Sequence, residues 1–102
     1  MSTNILAIPG SLRKESTNKF VLQAMALLTP ADVAVTIYEQ LGDLPHFNPD
    51  LDGEGAPAVS PAVRDLRERV GRADAMAICS PEYAHGVSGT LKNALDWLVS
   101  GV

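Results

Sequence analysis

The run Asn4-Ile-Leu-Ala-Ile8, halted by Pro9-Gly10, most narrows what this chain can become. An unbroken apolar strand is one covered on both faces, as in a parallel sheet with helices above and below. The remaining sequence supplies such helices in alternation. Ser16 to Leu28 predicts a helix, with Ser16 or Thr17 as its cap. Phe20, Val21, Leu22, Met25, Leu27 and Leu28 occupy more than one stripe of it, so substantial burial is expected. Val33-Ala-Val-Thr-Ile-Tyr38 predicts a second, more polar strand of edge character. The segment from Glu39 to Val59 then reads as a long loop, of a length expected for a functional loop or a binding lid. Ser60-Pro61 opens a second helix with the apolar stripe Val63, Leu66 and Val70. Ala75-Met-Ala-Ile-Cys79 predicts a third buried strand, and Ser80 to Gly89 a loop. Thr90 to about Ser100 predicts a third helix, with Leu91, Leu95, Leu98 and Val99 inward and Gly101 as its stop. The order βαβαβα implies one α/β domain over residues 1–102, with right-handed crossovers.

Composition excludes several classes. A content of 46% hydrophobic and 20% charged residues is that of a chain with a core, not a disordered one. No apolar run approaches the ~20 residues of a membrane helix. The N-terminus lacks the basic flank of a signal peptide. A net charge of −4 argues against nucleic acid or an anionic membrane as partner. The one cysteine, Cys79, excludes an internal disulfide framework and fits a reducing cytoplasm; at the end of an apolar strand it reads as inert core.

The first strand runs into Pro9-Gly10-Ser-Leu-Arg-Lys-Glu-Ser-Thr-Asn18 and then a helix. A helix start offers unpaired amides and partial positive charge, a ready anion site. Gly10 allows a sharp turn. Ser11, Ser16 and Thr17 add hydroxyls, Asn18 an amide, and Arg13 a planar fork suited to phosphate oxygens. The spacing matches neither the dinucleotide nor the nucleoside-triphosphate glycine motif, so a monophosphate is the expected ligand. The plainer alternative is a capped turn with a solvated Arg-Lys pair.

Gly10-Ser-Leu-Arg-Lys-Glu-Ser-Thr-Asn18 resembles the phosphate loop G-S-x-R-x-x-S-x-N of the NADPH-dependent FMN reductases, flavodoxin-like quinone, chromate and azo-dye reductases. Ser80-Pro-Glu-Tyr-Ala-His-Gly-Val-Ser-Gly-Thr-Leu-Lys-Asn-Ala-Leu-Asp-Trp97 resembles that family's S-P-E-Y-N-x-x-x-P-G-x-L-K-N-A-[IL]-D-W, which lines the flavin ring. Leu44-Pro-His-Phe-Asn-Pro-Asp-Leu51 is a weaker third match. The resemblance spans the chain and implies a doubly wound parallel sheet of order 2-1-3, with FMN at the switch between strands 1 and 3. It implies FMN contacts from Ser11, Arg13, Ser16, Thr17 and Asn18 on the phosphate, and from Pro81, Glu82, Tyr83, Ala84, His85 and Gly86 near the ring. NADPH or NADH would be the co-substrate and quinones, flavins, azo compounds or metal oxyanions the acceptors, in ping-pong order. A cytoplasmic homo-oligomer, dimer or tetramer, is implied too, with Trp97 at the subunit contact where position alone suggests core or interface.

Two departures from the family pattern stand out. Ala84 replaces an asparagine, and Ser88 replaces a proline, which is expected to loosen the loop. His85 reads as a loop histidine that shapes the pocket or is simply exposed, rather than a proton donor, and His46 lacks companions for a metal site. No side chain reads as a covalent or acid-base catalyst. Family members are longer, adding strands 4 and 5, whereas this sequence predicts three strands and leaves strand 3 as an edge. That contrast motivates a second expectation, a non-catalytic flavin-binding or subunit-interaction module.

Overall fold

In the computed structural model, which describes residues 2–53, 58–99 and 101, three strands form a parallel sheet. They are β1 (Thr3–Pro9), β2 (Val33–Ile37) and β3 (Ala75–Cys79), in the order β2-β1-β3. The register sets Ile5 of the central strand between Val35 and Ala75. Three helices connect and follow the strands: α1 (Thr17–Leu28), α2 (Pro61–Arg72) and α3 (Gly89–Leu98). Because β1 passes to β2 on one side and β2 returns to β3 on the other, right-handed crossovers put α1 and α2 on opposite faces. This is the flavodoxin-like α/β arrangement expected from the sequence.

The core lies on the α2–α3 face. Leu6 and Ile8, two residues apart on β1, point there and pack with Val63 and Leu66 of α2 and with Leu91, Ala94 and Trp97 of α3. Ser60 caps α2 as expected, its hydroxyl accepting from the Val63 amide at 3.3 Å. The α1 face is thinner than the sequence predicts. Leu22 is its one buried residue, while Phe20 and Val21 are exposed and Leu27 and Leu28 are 86% and 85% exposed. A three-stranded sheet is about 10 Å across, roughly one helix wide, so α1 has a partner below it and none of the described elements beside it. The same narrowness leaves Met76 and Ile78 of β3 exposed: the apolar run that reads as a buried strand is the exposed edge expected of a three-stranded sheet. Val99, expected inward, lies just past the end of α3 and is exposed.

The long loop is fastened rather than lid-like over its described part. It contains two short 3-10 turns, Leu41–Asp43 and Pro49–Leu51, and buries Leu41 and Leu44 in the core. Its Pro45 carbonyl accepts from Trp97 Nε1 at 2.8 Å and from Asn93 Nδ2 at 2.9 Å. The Phe47 amide donates back to Asn93 Oδ1 at 2.7 Å, and the Phe47 ring meets Trp97 edge-on at 4.9 Å. Farther along, Asp52 pairs with Arg67, which also donates to the Trp97 carbonyl. The third sequence match therefore has a structural purpose: it is the strap that closes over Trp97. Glu54, an acid of this loop, lies outside the described residues.

Tyr38, fully buried after β2, has its hydroxyl pKa pushed up to about 12, chiefly by burial and then by the nearby Asp65 charge. The unfolded tyrosine ionises near 10, so folding stability is complete below that pH and falls as pH rises towards 12. Denaturant unfolding between pH 9 and 12 is expected to show that decline, and Tyr38→Phe to flatten it. An identical slope in both proteins would refute the assignment.

Candidate functional site

Two loops leave the carboxyl ends of adjacent strands β1 and β3 and face each other. The first, from Gly10 to Ser16, begins in contact with the end of β3. The Gly10 amide donates to the Cys79 carbonyl at 2.7 Å. A Cβ on Gly10 would lie 3.2 Å from that oxygen and equally close to Ser80 Cα and Oγ. Glycine is needed here for close approach rather than for an unusual φ, which revises the turn argument made from sequence. Ser11 Oγ accepts from the Arg13 amide at 3.2 Å, curling the loop. Arg13 itself is exposed and makes no side-chain bond among the described residues.

Ser16 occupies the N-cap position of α1 without capping it. Its carbonyl accepts from Phe20, but its side chain makes no cap bond. Ser16 is 3% exposed, and its buried hydroxyl has no partner among the described residues. A buried, unpaired hydroxyl costs about 1–3 kcal/mol, so its persistence calls for a ligand-side explanation. No acidic residue stands in the first turn of α1. The helix start thus combines open amides, an orphaned hydroxyl and uncompensated positive potential, which fits an anion. Thr17 is exposed beside it. Asn18 is held from below, its Oδ1 accepting from the Cys79 thiol at 3.0 Å. Cys79 is accordingly not plain core: it is half-buried and engaged with this loop.

The second loop contains a hairpin that sequence reasoning missed. β4 (Glu82–Tyr83) pairs antiparallel with β5 (Gly86–Val87) across Ala84 and His85. Both turn residues have positive φ, 51° and 63°, as a mirror-image two-residue turn demands. Alanine pays a steric cost in that region that asparagine largely escapes, so the departure at Ala84 strains the turn. Ala84→Asn is expected to stabilise the hairpin by about 1 kcal/mol, read as slower amide exchange at Tyr83 and Gly86. Unchanged exchange would sink that account. Tyr83 is 56% exposed, and His85 is exposed at the tip.

Ser88 joins the two loops. Its amide donates to Ser80 Oγ at 3.2 Å, and its own hydroxyl donates to the Gly10 carbonyl and accepts from the Leu91 amide. Ser80 Oγ in turn donates to the Pro81 carbonyl at 2.9 Å. Ser88 is buried and caps α3, so it tightens the segment that sequence reasoning expected it to loosen. The missed signal is a serine at an N-cap position, hidden because α3 starts at Gly89, one residue earlier than predicted.

Between the loops lies an open cavity of about 480 Å³, lined by Gly10, Ser11, Leu12, Arg13, Tyr83, Ser88, Gly89 and Thr90. It brings Ser11 and Arg13 of the first loop into one space with Tyr83 of the second. Ser16, Thr17 and Asn18 sit at the helix start that ends the first loop, Glu82, Ala84, His85 and Gly86 form the rest of the hairpin and Pro81 leads into it; none of these lines the cavity. Trp97 is 1% exposed and belongs to the core, not to a subunit contact. No group of His, Cys, Asp and Glu able to hold a metal occurs among the described residues. Nor is any described helix long and apolar enough to cross a membrane.

The NADPH-dependent FMN reductase family model matches residues 3–101. A quinone reductase of Pseudomonas putida is 41% identical over 93 residues, covering 91% of this chain and 48% of that protein. A quinone reductase of Escherichia coli K12 is 38% identical over 95 residues, covering 92% and 49% respectively. Among solved structures, FerB, a flavoenzyme NAD(P)H:(acceptor) oxidoreductase from Paracoccus denitrificans, superposes with a TM-score of 0.79 at 32% identity. That alignment covers 93% of this chain and 50% of FerB. The chain thus spans about half the length of the relatives it matches. With a family model matched from Thr3 to Gly101 and the two motif loops facing one cavity, the chain belongs to the NADPH-dependent FMN reductase family.

Proposed function

We propose that this chain forms the FMN-holding part of an NAD(P)H-dependent oxidoreductase acting on quinone, flavin, azo or metal-oxyanion acceptors. The observation that carries the reading is the orphaned Ser16 hydroxyl at the open start of α1, at the end of the loop whose Ser11 and Arg13 line a cavity with Tyr83. The donor set fits the phosphate monoester of FMN. Ser16 Oγ and the first α1 amides would donate to its oxygens, Arg13 would neutralise its charge, and Ser11, Thr17 and Asn18 would complete the cradle. Across the cavity, Tyr83 offers a ring face, and the Pro81–Gly86 backbone presents amides and carbonyls to the polar edge of an isoalloxazine. When bound, FMN would supply the chemistry, taking a hydride from NAD(P)H and passing electrons to an acceptor. The chain's own work is to grip, orient and leave one face open, and no side chain is assigned proton transfer. The names of the matched relatives, quinone reductase among them, support the choice of acceptor class.

The test is spectroscopic. Titration of FMN into the purified protein is expected to quench flavin fluorescence, and anaerobic NADPH to bleach the bound chromophore. Quenching without bleaching would leave a flavin-binding protein and remove the enzymatic half of the proposal. Absence of quenching would remove both.

A further inference from the structure

Ser88 stands where the two loops meet, and its hydrogen bonds point in two directions. One set serves α3: the hydroxyl accepts from the Leu91 amide at 3.3 Å, an ordinary N-cap. The other serves the cavity. The same hydroxyl donates to the Gly10 carbonyl at the root of the phosphate loop, while the Ser88 amide holds Ser80 Oγ at the root of the ring loop. A proline here would have neither donor. We infer that Ser88 is a positioning residue that fixes the separation of the phosphate loop from the ring loop, so that one rigid ligand can engage both at once.

This inference rests on the flavin reading above. Phosphate contacts add to ring contacts only when both loops are already at the spacing the ligand needs. A loop that must be ordered during binding takes back part of that gain. Riboflavin shares the ring of FMN but lacks the phosphate. Loss of the latch should therefore weaken FMN selectively.

Ser88→Gly separates the two roles, because glycine at an N-cap is only a few tenths of a kcal/mol worse than serine, yet it has no hydroxyl for Gly10. FMN and riboflavin dissociation constants are measured by fluorescence quenching for wild type, Ser88→Gly and Ser88→Thr. The ratio of FMN to riboflavin affinity is expected to fall about fivefold in Ser88→Gly, with riboflavin changing less than about twofold. Ser88→Thr, which keeps a hydroxyl and an N–H, is expected to restore most of the ratio and also covers a glycine variant that fails to fold. Equal weakening of both ligands would show a merely structural serine and overturn the inference, as would an unchanged ratio. Wild-type protein that binds neither ligand would overturn the flavin reading itself, and this inference with it.

Discussion

Trp97→Ala is expected to remove about 3–5 kcal/mol of stability. The indole is 1% exposed and is the largest side chain in the core. Its truncation would open a cavity bounded by the Phe47 ring, the Arg67 guanidinium and the α2–α3 packing. It would also remove one of the strap's hydrogen bonds, leaving Asn93 to hold the Pro45 carbonyl and the Phe47 amide. For a domain of this size, total stability is of the order of 5–15 kcal/mol, so the loss would take a large fraction of it. Trp97→Phe keeps most of the apolar volume and loses one donor, a cost of roughly 1–2 kcal/mol. Urea unfolding followed by circular dichroism checks both variants. If Trp97→Ala unfolds at the wild-type midpoint, the core placement is wrong; if it does not fold, the phenylalanine variant still reports the graded loss.

Much of this architecture was legible because local rules and global fold agree. Ala75–Cys79 is both the apolar run and the strand, and β1 exceeds its predicted run by one residue at each end. Ser60-Pro61 announced α2 because capping and proline preference coincide there. The donor-rich loop after β1 was visible as a loop, since its hydroxyls and arginine follow an apolar strand directly.

The misreadings have physical causes. The β4–β5 hairpin was hidden because its turn is Ala84-His85 rather than asparagine-glycine, the pair that would have signalled positive φ. Apolar residues on several sides of α1 imply covering, but only the breadth of the sheet decides whether anything described here covers them. Cys79 looked inert because its bond to Asn18 spans 61 positions of sequence, and no local pattern encodes such a contact. Trp97 shows the opposite limit: its burial could be read locally, whereas the strap that seals it comes from a loop about fifty residues earlier.

Ser16→Ala is expected to act in opposite directions on the free and ligand-bound protein, and that opposition is what tests the site. In the free protein the hydroxyl is buried, caps nothing and has no partner among the described residues. Removing it therefore forfeits no cap bond and relieves a desolvated group, so stability should hold or rise by up to about 1 kcal/mol. On the proposed reading the same hydroxyl donates to a phosphate oxygen, and a hydrogen bond to a charged group is worth about 1.5–3 kcal/mol. FMN should then bind roughly 10- to 100-fold more weakly, with riboflavin little changed. Arg13→Ala should give a loss of the same kind, eased by added salt because its guanidinium is exposed. The decisive contrast is between the two serine effects. A variant that loses stability and keeps its FMN affinity would make Ser16 an ordinary part of the helix start. A variant that keeps or gains stability while losing FMN selectively identifies the buried hydroxyl as a group held ready for the phosphate.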